Sequence, residues 1–386
     1  MASLLISAEH MITTPGGGPT RVLSPGFVRA ENGVITEVGE GRPPGVPDAD
    51  LGEGLLAPGL VDLQVNGFFG YDMVDADVDQ WRTVVSRLPE TGVTAFMPTF
   101  ITAPVQVQAE ALLRTRDLLP DLASGTKVLG VHLEGPFLSE RRKGAHNAAY
   151  LTDPTPEAIA ALLETGLVKL VTLAPEREGA LAAIRELDAA GVLVSVGHSD
   201  ATAAQTAAAA DAGARMVTHI FNAQSGVGHR DPGVATQALI DRRLHPGLIL
   251  DLHHVSPEAA KLVFQAADGR VLLVTDAASS AGMPPGTYEL GGEPITMPEQ
   301  GPPLRADGTL AGSGLRLDEA LGNAAALGID TAVAVDAATR VPADLIGRPD
   351  IGRIAPGASA DLVWLGPDHR AHATWINGQK VFGGGS

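Results

Sequence analysis

Eight short runs rich in valine, isoleucine and leucine recur through the middle of the chain, and helix-like segments separate most of them. Buried parallel strands that alternate with helices produce this pattern, because both faces of such a sheet are covered. Eight strands close a (β/α)₈ barrel, and a doubly wound open sheet is the structural alternative. The runs are residues 59–65, 93–99, 127–134, 168–174, 192–198, 215–220, 247–254 and 270–276.

Four of the segments between these runs begin and end as helices do. Each starts near a serine, threonine, aspartate or charged residue that can cap a first turn, and each ends in glycine. These predicted helices lie within residues 155–166, 177–191, 200–213 and 256–269.

Both ends of the chain are rich in strand-like runs instead. Asn32-Gly33 and Asn377-Gly378 each lie in such a region, and Asn-Gly is a strong signal for a two-residue hairpin turn. We therefore expect the two ends to pair with each other. The predicted architecture is α/β, with a (β/α)₈ TIM-type barrel over 56–354 and a small β-sandwich domain built from 1–55 and 355–386.

The charge balance and the absence of cysteine exclude several classes of function. The net charge is -18, from 45 acidic and 27 basic residues, whereas a general nucleic-acid surface needs a basic footprint. Without cysteine the chain can form neither a disulfide nor a thiolate metal site. No apolar run approaches the ~18 residues of a membrane span, and the N-terminus lacks a basic start, so we expect a cytoplasmic protein without a membrane partner.

Polar residues lie where the predicted strands end, which is where barrel enzymes place their chemistry. Glu134 ends the third run, His198 the fifth, His219 the sixth and Asp276 the eighth. One carboxylate and two imidazoles with an open position form the ligand set of catalytic zinc sites, and such a metal lowers the pKa of a bound water towards ~7. The pattern predicts Glu134, His198 and His219 as metal ligands and Asp276 as general base.

Each of these residues also has a purely structural interpretation. A single histidine at a strand end is more often a hydrogen-bonded structural residue, and Glu134 or Asp276 alone is compatible with a helix cap. The coincidence across four strands favours the metal site. Gln64 and Asn66, on the first strand, are amides and therefore poor zinc ligands. They favour one metal over two, and we expect them to donate hydrogen bonds around the site.

Basic residues are concentrated on two loops that follow these strands, which suggests an anionic substrate group in an acidic chain. Residues 141–147 contain Arg141, Arg142, Lys143 and His146, and residues 221–233 contain Asn222, His229 and Arg230. We expect His146 and Arg230 to act on the substrate, and we slightly favour a solvated role for Arg141, Arg142 and Lys143.

Taken together, the motifs resemble those of the N-acetylglucosamine-6-phosphate deacetylase family of the amidohydrolase superfamily. "HLEGPF", "GHSDA" and "THIFNA" in this order are specific, and the resemblance runs from about Leu4 to Val381. The matching stretches are "APGLVDLQVNG" (57–67), "GVHLEGPFL" (130–138), "KGAHN" (143–147), "VGHSDA" (196–201), "VTHIFNA" (217–223), "VTDA" (274–277), "GTLAGS" (308–313) and "IGRIAPGASADLVWL" (351–365).

The resemblance implies hydrolysis of the acetamide of N-acetylglucosamine 6-phosphate, in amino-sugar catabolism or cell-wall recycling. It implies one divalent metal per subunit, Zn²⁺ or less commonly Fe²⁺, and a homodimer in which Arg230 reaches across the interface to the phosphate. His146 matches the residue that polarises the acetyl carbonyl, and Asp276 the acid/base aspartate. The other implied substrate contacts are Ala145, Asn222, Ala223, Arg230 and His254, with Leu310, Ala311 and Gly312 closing over the acetyl group.

Two positions depart from the family pattern. Gln224 replaces the methionine expected after "FNA", and Leu252 replaces a glycine expected near the sugar. The second departure leaves open an epimeric amino-sugar phosphate, such as the galactosamine form. A cyclic-amide hydrolase is disfavoured because no predicted strand ends in the bridging lysine that such enzymes often need. A silent barrel used as a scaffold is disfavoured because the three ligands and Asp276 are all present.

Overall fold

The computed structural model describes residues 3–14, 18–122 and 124–384. The strands, in chain order, are β1 (Ser3–Ala8), β2 (Met11–Thr13), β3 (Arg21–Leu23), β4 (Gly26–Glu31), β5 (Val34–Glu40), β6 (Ala49–Leu51), β7 (Leu55–Pro58), β8 (Leu60–Val65), β9 (Gly67–Phe68), β10 (Tyr71–Asp72), β11 (Val93–Ile101), β12 (Lys127–Val128), β13 (Val131–Glu134), β14 (Val168–Leu173), β15 (Leu193–Val196), β16 (Met216–Val217), β17 (His245–Leu248), β18 (Leu272–Leu273), β19 (Gly286–Leu290), β20 (Glu293–Met297), β21 (Leu362–Leu365), β22 (Ala371–Ile376) and β23 (Gln379–Phe382).

The α-helices are α1 (Val78–Arg87), α2 (Val105–Leu118), α3 (Pro156–Leu163), α4 (Ala180–Ala189), α5 (Ala203–Ala212), α6 (Val234–Ile240), α7 (Pro257–Ala267), α8 (Leu317–Ala326), α9 (Thr331–Ala338) and α10 (Arg340–Leu345). Short 3₁₀ helices span Leu88–Thr91, Leu119–Asp121, Glu140–Arg142 and Ala148–Tyr150. Among the described residues, none of these helices is both long and apolar enough to cross a membrane.

The eight apolar runs form a parallel barrel, with the third run divided into β12 and β13. β8 pairs with β11, β11 pairs with β12 and β13, and β13 to β18 follow in chain order. The first and last strands meet through a parallel bridge between Val65 and Ala277 and through the Asp276 N–H, which donates to the Gln64 carbonyl at 2.9 Å. The prediction of a barrel rather than an open sheet is confirmed.

The strands are shorter than the apolar runs, because the polar residues near the ends of these runs adopt a backbone conformation that cannot continue a strand. His198, His219 and Asp276 have φ angles of 47°, 26° and 51°, in the left-handed region that side chains rarely adopt. They lie on tight turns just beyond β15, β16 and β18, so the expectation that they end these strands is corrected. The seventh predicted run, which ends with His253 and His254, is also longer than its strand, because β17 ends at Leu248.

The predicted helices are present as α3, α4, α5 and α7, and three of them have the expected caps. The Thr155 hydroxyl accepts from Ala158 N at 3.2 Å, Ser256 caps α7 in the same way, and Thr202 forms a capping box with Gln205 on α5. α4 instead has Gly179 at its N-cap position, and glycine offers no side-chain cap. These helices cover the outside of the barrel, so the short strands stay buried.

Strands from both ends of the chain share one sheet, in the order β23-β22-β21-β7-β2-β3, and a second sheet has the order β5-β4-β1-β6. Ile6, Val28, Leu56 and Trp375 belong to one buried cluster between them. Asn32 and Gly33 both have positive φ and form the expected two-residue turn, because such a turn matches strand twist; Asn377-Gly378 does the same. β7 spans the predicted boundary at 55/56, and the domain division itself stays a prediction.

Candidate active site

Three ligand atoms meet at the rim of the barrel. Glu134 Oε1 lies 3.1 Å from His198 Nε2 and 3.0 Å from His219 Nε2, and the two imidazole nitrogens are 3.1 Å apart. All three side chains are buried. Atoms that surround one ion at about 2.0–2.2 Å have mutual separations of this order. The donor set therefore fits a single divalent metal ion.

Groups outside this triad orient its members. His198 Nδ1 lies 2.9 Å from the Arg142 carbonyl, which can only accept a hydrogen bond. Nδ1 therefore carries a proton, so Nε2 is the nitrogen whose lone pair can bind a metal ion. Further out, Glu176 accepts from the Ser199 hydroxyl at 2.7 Å and from Asp200 N at 2.6 Å, which holds the turn that carries His198.

Electrostatics supports an ionised Glu134. Burial raises the pKa of this carboxyl, but the hydrogen bonds and charges of His198 and His219 outweigh burial and hold the pKa well below its usual range. For His219, burial lowers the pKa, and the contact with Glu134 reverses the direction and raises it. The proton on His219 therefore offsets the negative charge of Glu134. A metal cation in the middle of the triad would offset that charge instead, because these groups bind metals in their deprotonated forms.

Asp276 lies next to the triad and is held by two amides, Gln64 on β8 and Asn66 directly after it. Asn66 Nδ2 donates to Asp276 Oδ1 at 2.8 Å, and Gln64 Nε2 donates to the same oxygen at 3.0 Å. Gln64 Nε2 is also 3.2 Å from Glu134 Oε1. Burial, followed by the negative charge of Glu134, raises the pKa of Asp276 to about 6. This value suits a group that takes and returns a proton near neutral pH.

His146 faces the same site from the loop that follows Glu134. Its Nε2 lies 3.9 Å from Glu134 Oε2, and its ring packs edge-on against His198, with centroids 4.4 Å apart. Burial, with a smaller contribution from His198, holds the pKa of His146 well below its usual range. The ring is therefore neutral, and a neutral ring donates from one nitrogen only.

The site opens into a cavity of about 350 Å³. Besides the triad, the lining includes these predicted substrate-site residues: Asn66, Ala145, His146, Asn222, Ala223, His254, Asp276, Leu310 and Gly312. Gln64 and Ala311 are fully buried and lie behind this lining. His254 is oriented by Asp251, whose Oδ2 is 2.7 Å from His254 Nδ1.

The basic residues are distributed differently from the expectation. Arg141 and Arg142, for which we favoured a solvated role, line the cavity, and both pair with Asp200, at 3.3 Å and 2.9 Å. Arg230 is exposed and is absent from the lining of its own chain's cavity. Leu252, expected near the sugar, is also absent from this lining and packs against the barrel core.

The apolar wall of the cavity, apart from Leu310, was not predicted from the sequence. Ile101 ends β11 and Ile249 directly follows β17, so in the sequence both resemble core residues. Leu290 belongs to the β19–β20 hairpin, which was not predicted. The Gly291-Gly292 pair at the turn of that hairpin was an available signal. Together with Leu310, these side chains add apolar surface to the cavity that contains the polar triad.

Comparisons with known proteins agree with this arrangement. Residues 55–381 match the model of the amidohydrolase family. The chain is 37% identical over 361 residues to "N-acetylglucosamine-6-phosphate deacetylase" of Vibrio furnissii, covering 91% of this chain and 89% of that protein. It is also 37% identical over 356 residues to "N-acetylgalactosamine-6-phosphate deacetylase" of Escherichia coli O157:H7, covering 91% of this chain and 93% of that protein.

Solved structures give the same result. N-acetyl-D-glucosamine-6-phosphate deacetylase of Mycobacterium smegmatis, in complex with N-acetyl-D-glucosamine-6-phosphate, superposes with a TM-score of 0.93 at 34% identity, over 99% of this chain and 100% of that one. The enzyme of the same name from Thermotoga maritima gives 0.88 at 30% identity, over 99% and 100% of the two chains. The chain therefore belongs to the amidohydrolase family and, within it, to the N-acetylglucosamine-6-phosphate deacetylases.

Proposed function

We propose that the chain hydrolyses the acetamide of N-acetylglucosamine 6-phosphate to glucosamine 6-phosphate and acetate, as a step of amino-sugar catabolism. The observation that carries the proposal is the Glu134, His198 and His219 triad beside Asp276 in one rim cavity. The relative of that name in Vibrio furnissii supports the substrate class.

Glu134, His198 and His219 would hold one divalent ion per subunit. Zn²⁺ fits a carboxylate and two imidazoles, and Fe²⁺ tolerates the same donors. When bound, the ion supplies Lewis acidity, which polarises an amide carbonyl and makes water a stronger acid. The amides Gln64 and Asn66 occupy the place where a second metal would need better ligands, so we infer a one-metal site.

The protein's own groups move the protons. Asp276 takes a proton from the water that attacks the acetyl carbon and then gives it to the departing amine, which a carboxyl with a pKa near 6 can do in both directions. His146 donates from Nε2 to the acetyl oxygen and stabilises the negative charge that develops there. Gln64 and Asn66 hold Asp276 in place through Oδ1.

The rest of the cavity would bind the sugar phosphate. Asn222, Ala223 and His254 face the polar part, and Leu310 with Gly312 covers the acetyl group, with Ala311 behind them. Ala145 lies beside His146 on the same wall. Arg230 is exposed and does not line its own cavity, which is compatible with a homodimer in which it reaches the partner's phosphate. Arg141 and Arg142 add positive charge at the mouth.

A second candidate substrate is N-acetylgalactosamine 6-phosphate. The observation that favours it is the relative named for that reaction, which is as similar as the one named for the glucosamine form. The mechanism would be unchanged, because the two sugars differ only in one hydroxyl configuration.

Acetate release from purified protein tests the proposal. The substrates are the gluco 6-phosphate, its galacto epimer and the unphosphorylated N-acetylglucosamine, each at equal concentration with the metal content read on the same sample. We expect kcat/KM to be highest for the phosphorylated gluco sugar. A preference for the galacto epimer would establish the second candidate, and no release from any of the three would refute the assignment.

A further inference from the structure

Thr102 lies directly after β11, 6% exposed, and makes two contacts with one nitrogen of His146. Its backbone N is 3.3 Å from His146 Nδ1, and its hydroxyl oxygen is 2.8 Å from the same atom. The backbone N–H can only donate a hydrogen bond. A proton on Nδ1 would therefore point at the amide hydrogen of Thr102, so Nδ1 must be the acceptor.

The hydroxyl of Thr102 has two acceptors within reach. His146 Nδ1 is at 2.8 Å and the Glu134 carbonyl oxygen is at 3.3 Å, so the shorter hydrogen bond goes to the ring. With Nδ1 accepting, the ring proton is on Nε2, which is the nitrogen on the side of Glu134 Oε2 and the cavity.

The surrounding structure keeps space for this hydroxyl. Gly135, next to the ligand Glu134, has φ +90°, and a Cβ built there would lie 2.2 Å from Thr102 Oγ1. Gln108, fully buried on α2, donates to the Ile101 carbonyl at 3.1 Å and to the Gly135 carbonyl at 3.4 Å. These bonds tie the end of β11 to the end of β13, so Thr102 is fixed relative to Glu134.

We propose that Thr102 is a positioning residue, whose amide and hydroxyl hold His146 as the tautomer that carries its proton on Nε2, facing the cavity. In the reaction, this tautomer is the one that donates to the acetyl oxygen. That kinetic consequence rests on the proposed function, whereas the tautomer itself does not. Thr102 does not line the cavity and bonds the backbone carbonyl of Glu134 rather than its carboxylate, so it acts through His146.

Nuclear magnetic resonance of the zinc-loaded protein, labelled with ¹⁵N-histidine, tests the tautomer without any substrate. Two-bond ¹H–¹⁵N correlations distinguish the two neutral forms of each ring, and the His146→Gln spectrum identifies the signals of His146. We expect the proton on Nε2 in the wild-type protein. A proton on Nδ1 would overturn the proposal.

Kinetics of three threonine variants provide the second readout. We expect Thr102→Val to lower kcat about tenfold, the effect of losing one ordinary hydrogen bond, to leave KM within about twofold, and to change the His146 signals. Thr102→Ser, which keeps the hydroxyl, should restore the wild-type kcat and the wild-type His146 signals. Thr115→Val removes a buried hydroxyl that, within the part of the chain the structure describes, bonds only the Ala111 carbonyl, so it serves as the matched control.

The outcomes separate the two proposals. If Thr102→Val folds, as judged by its melting temperature, and matches the wild-type protein in kcat and in the His146 signals, the hydroxyl of Thr102 does not position His146 and that part of the proposal is overturned. If the wild-type protein releases no acetate but its spectra show the Nε2 proton, the proposed function fails and the tautomer assignment holds.

Discussion

Asn66 Nδ2 donates to Asp276 Oδ1 at 2.8 Å, from the residue directly after the first barrel strand to the turn after the last. Because Gln64 donates to the same oxygen at 3.0 Å, both amides hold Oδ1. Among the described residues, Oδ2 accepts no protein hydrogen bond. The barrel closure thus presents one carboxylate oxygen of Asp276 to the cavity, where it can exchange a proton.

Asp276→Asn should abolish this proton transfer while the site stays assembled, because an asparagine oxygen still accepts from Asn66. We expect kcat to fall by ~10²–10⁴, the usual contribution of general acid–base catalysis, with the metal content per chain unchanged. Steady-state acetate release and metal analysis measure both quantities. Asp268→Asn, at an exposed carboxylate, is the control. A variant within about tenfold of the wild-type rate would remove Asp276 from the mechanism.

The reaction should lose rate in acid. Burial and the charge of Glu134 raise the pKa of Asp276 to about 6, and a base works only when ionised, so the active form dominates above that pKa and disappears below it. A bound cation opposes this rise, so we expect kcat/KM to be level above about pH 7 and to fall about tenfold per pH unit at or below about pH 6.

The pH profile is measured with melting temperature and metal content checked at each pH, because protonated histidines also release metal. An acid limb that appears while the metal stays bound supports the assignment to Asp276. A rate that is constant or rises between pH 7 and pH 4.5, in folded and metal-loaded protein, speaks against it.

Gly135→Ala should destabilise the protein, because its backbone is left-handed and its Cβ would lie 2.2 Å from Thr102 Oγ1. We expect the free energy of unfolding to decrease by about 1–3 kcal/mol from backbone strain alone, and by more from the contact. Denaturant unfolding measures the change. Repeating it in a Thr102→Ala background removes the contact, so the cost should shrink. Equal costs in both backgrounds would show that the hydroxyl does not occupy this space.

Leu252→Gly should leave sugar selectivity almost unchanged. Leu252 has φ +62° and packs against the core rather than lining the cavity. We expect the ratio of kcat/KM for the gluco and galacto 6-phosphates to change less than about threefold. Ile249→Ala, which alters a lining residue, is the positive comparison. A large shift of the ratio in Leu252→Gly would mean that this turn acts on the sugar.

The barrel and the metal triad could be predicted because their signals are local in the sequence. Apolar runs separated by capped helices specify the parallel sheet, and an isolated carboxylate such as Glu134 needs a partner in such surroundings. His198 and His219 follow other strands at matching positions, and parallel strands bring those positions to one rim. The same reasoning placed Asp276, Gln64 and Asn66 around the ligands.

Other features depend on tertiary structure and have no local signal. Ile101 and Ile249 are apolar residues near strand ends, so sequence alone does not distinguish a cavity wall from core. Thr102 is one of many threonines, and only the approach of His146, 44 residues later, gives its hydroxyl a role. Arg230 was expected at the substrate, yet it does not line its own cavity. The path of the 221–233 loop that carries it depends on packing, which the charge of the loop does not reveal.

Titration of zinc into chelated protein tests the central claim most directly. Acetate release from N-acetylglucosamine 6-phosphate is recorded after each addition, beside Glu134→Gln as a variant that lacks the ligand carboxylate. We predict almost no activity in the chelated protein, a linear rise that ends at one zinc per chain, and no rise in Glu134→Gln. Full activity without metal, or a rise that ends only at two per chain, would contradict a single catalytic ion held by Glu134, His198 and His219.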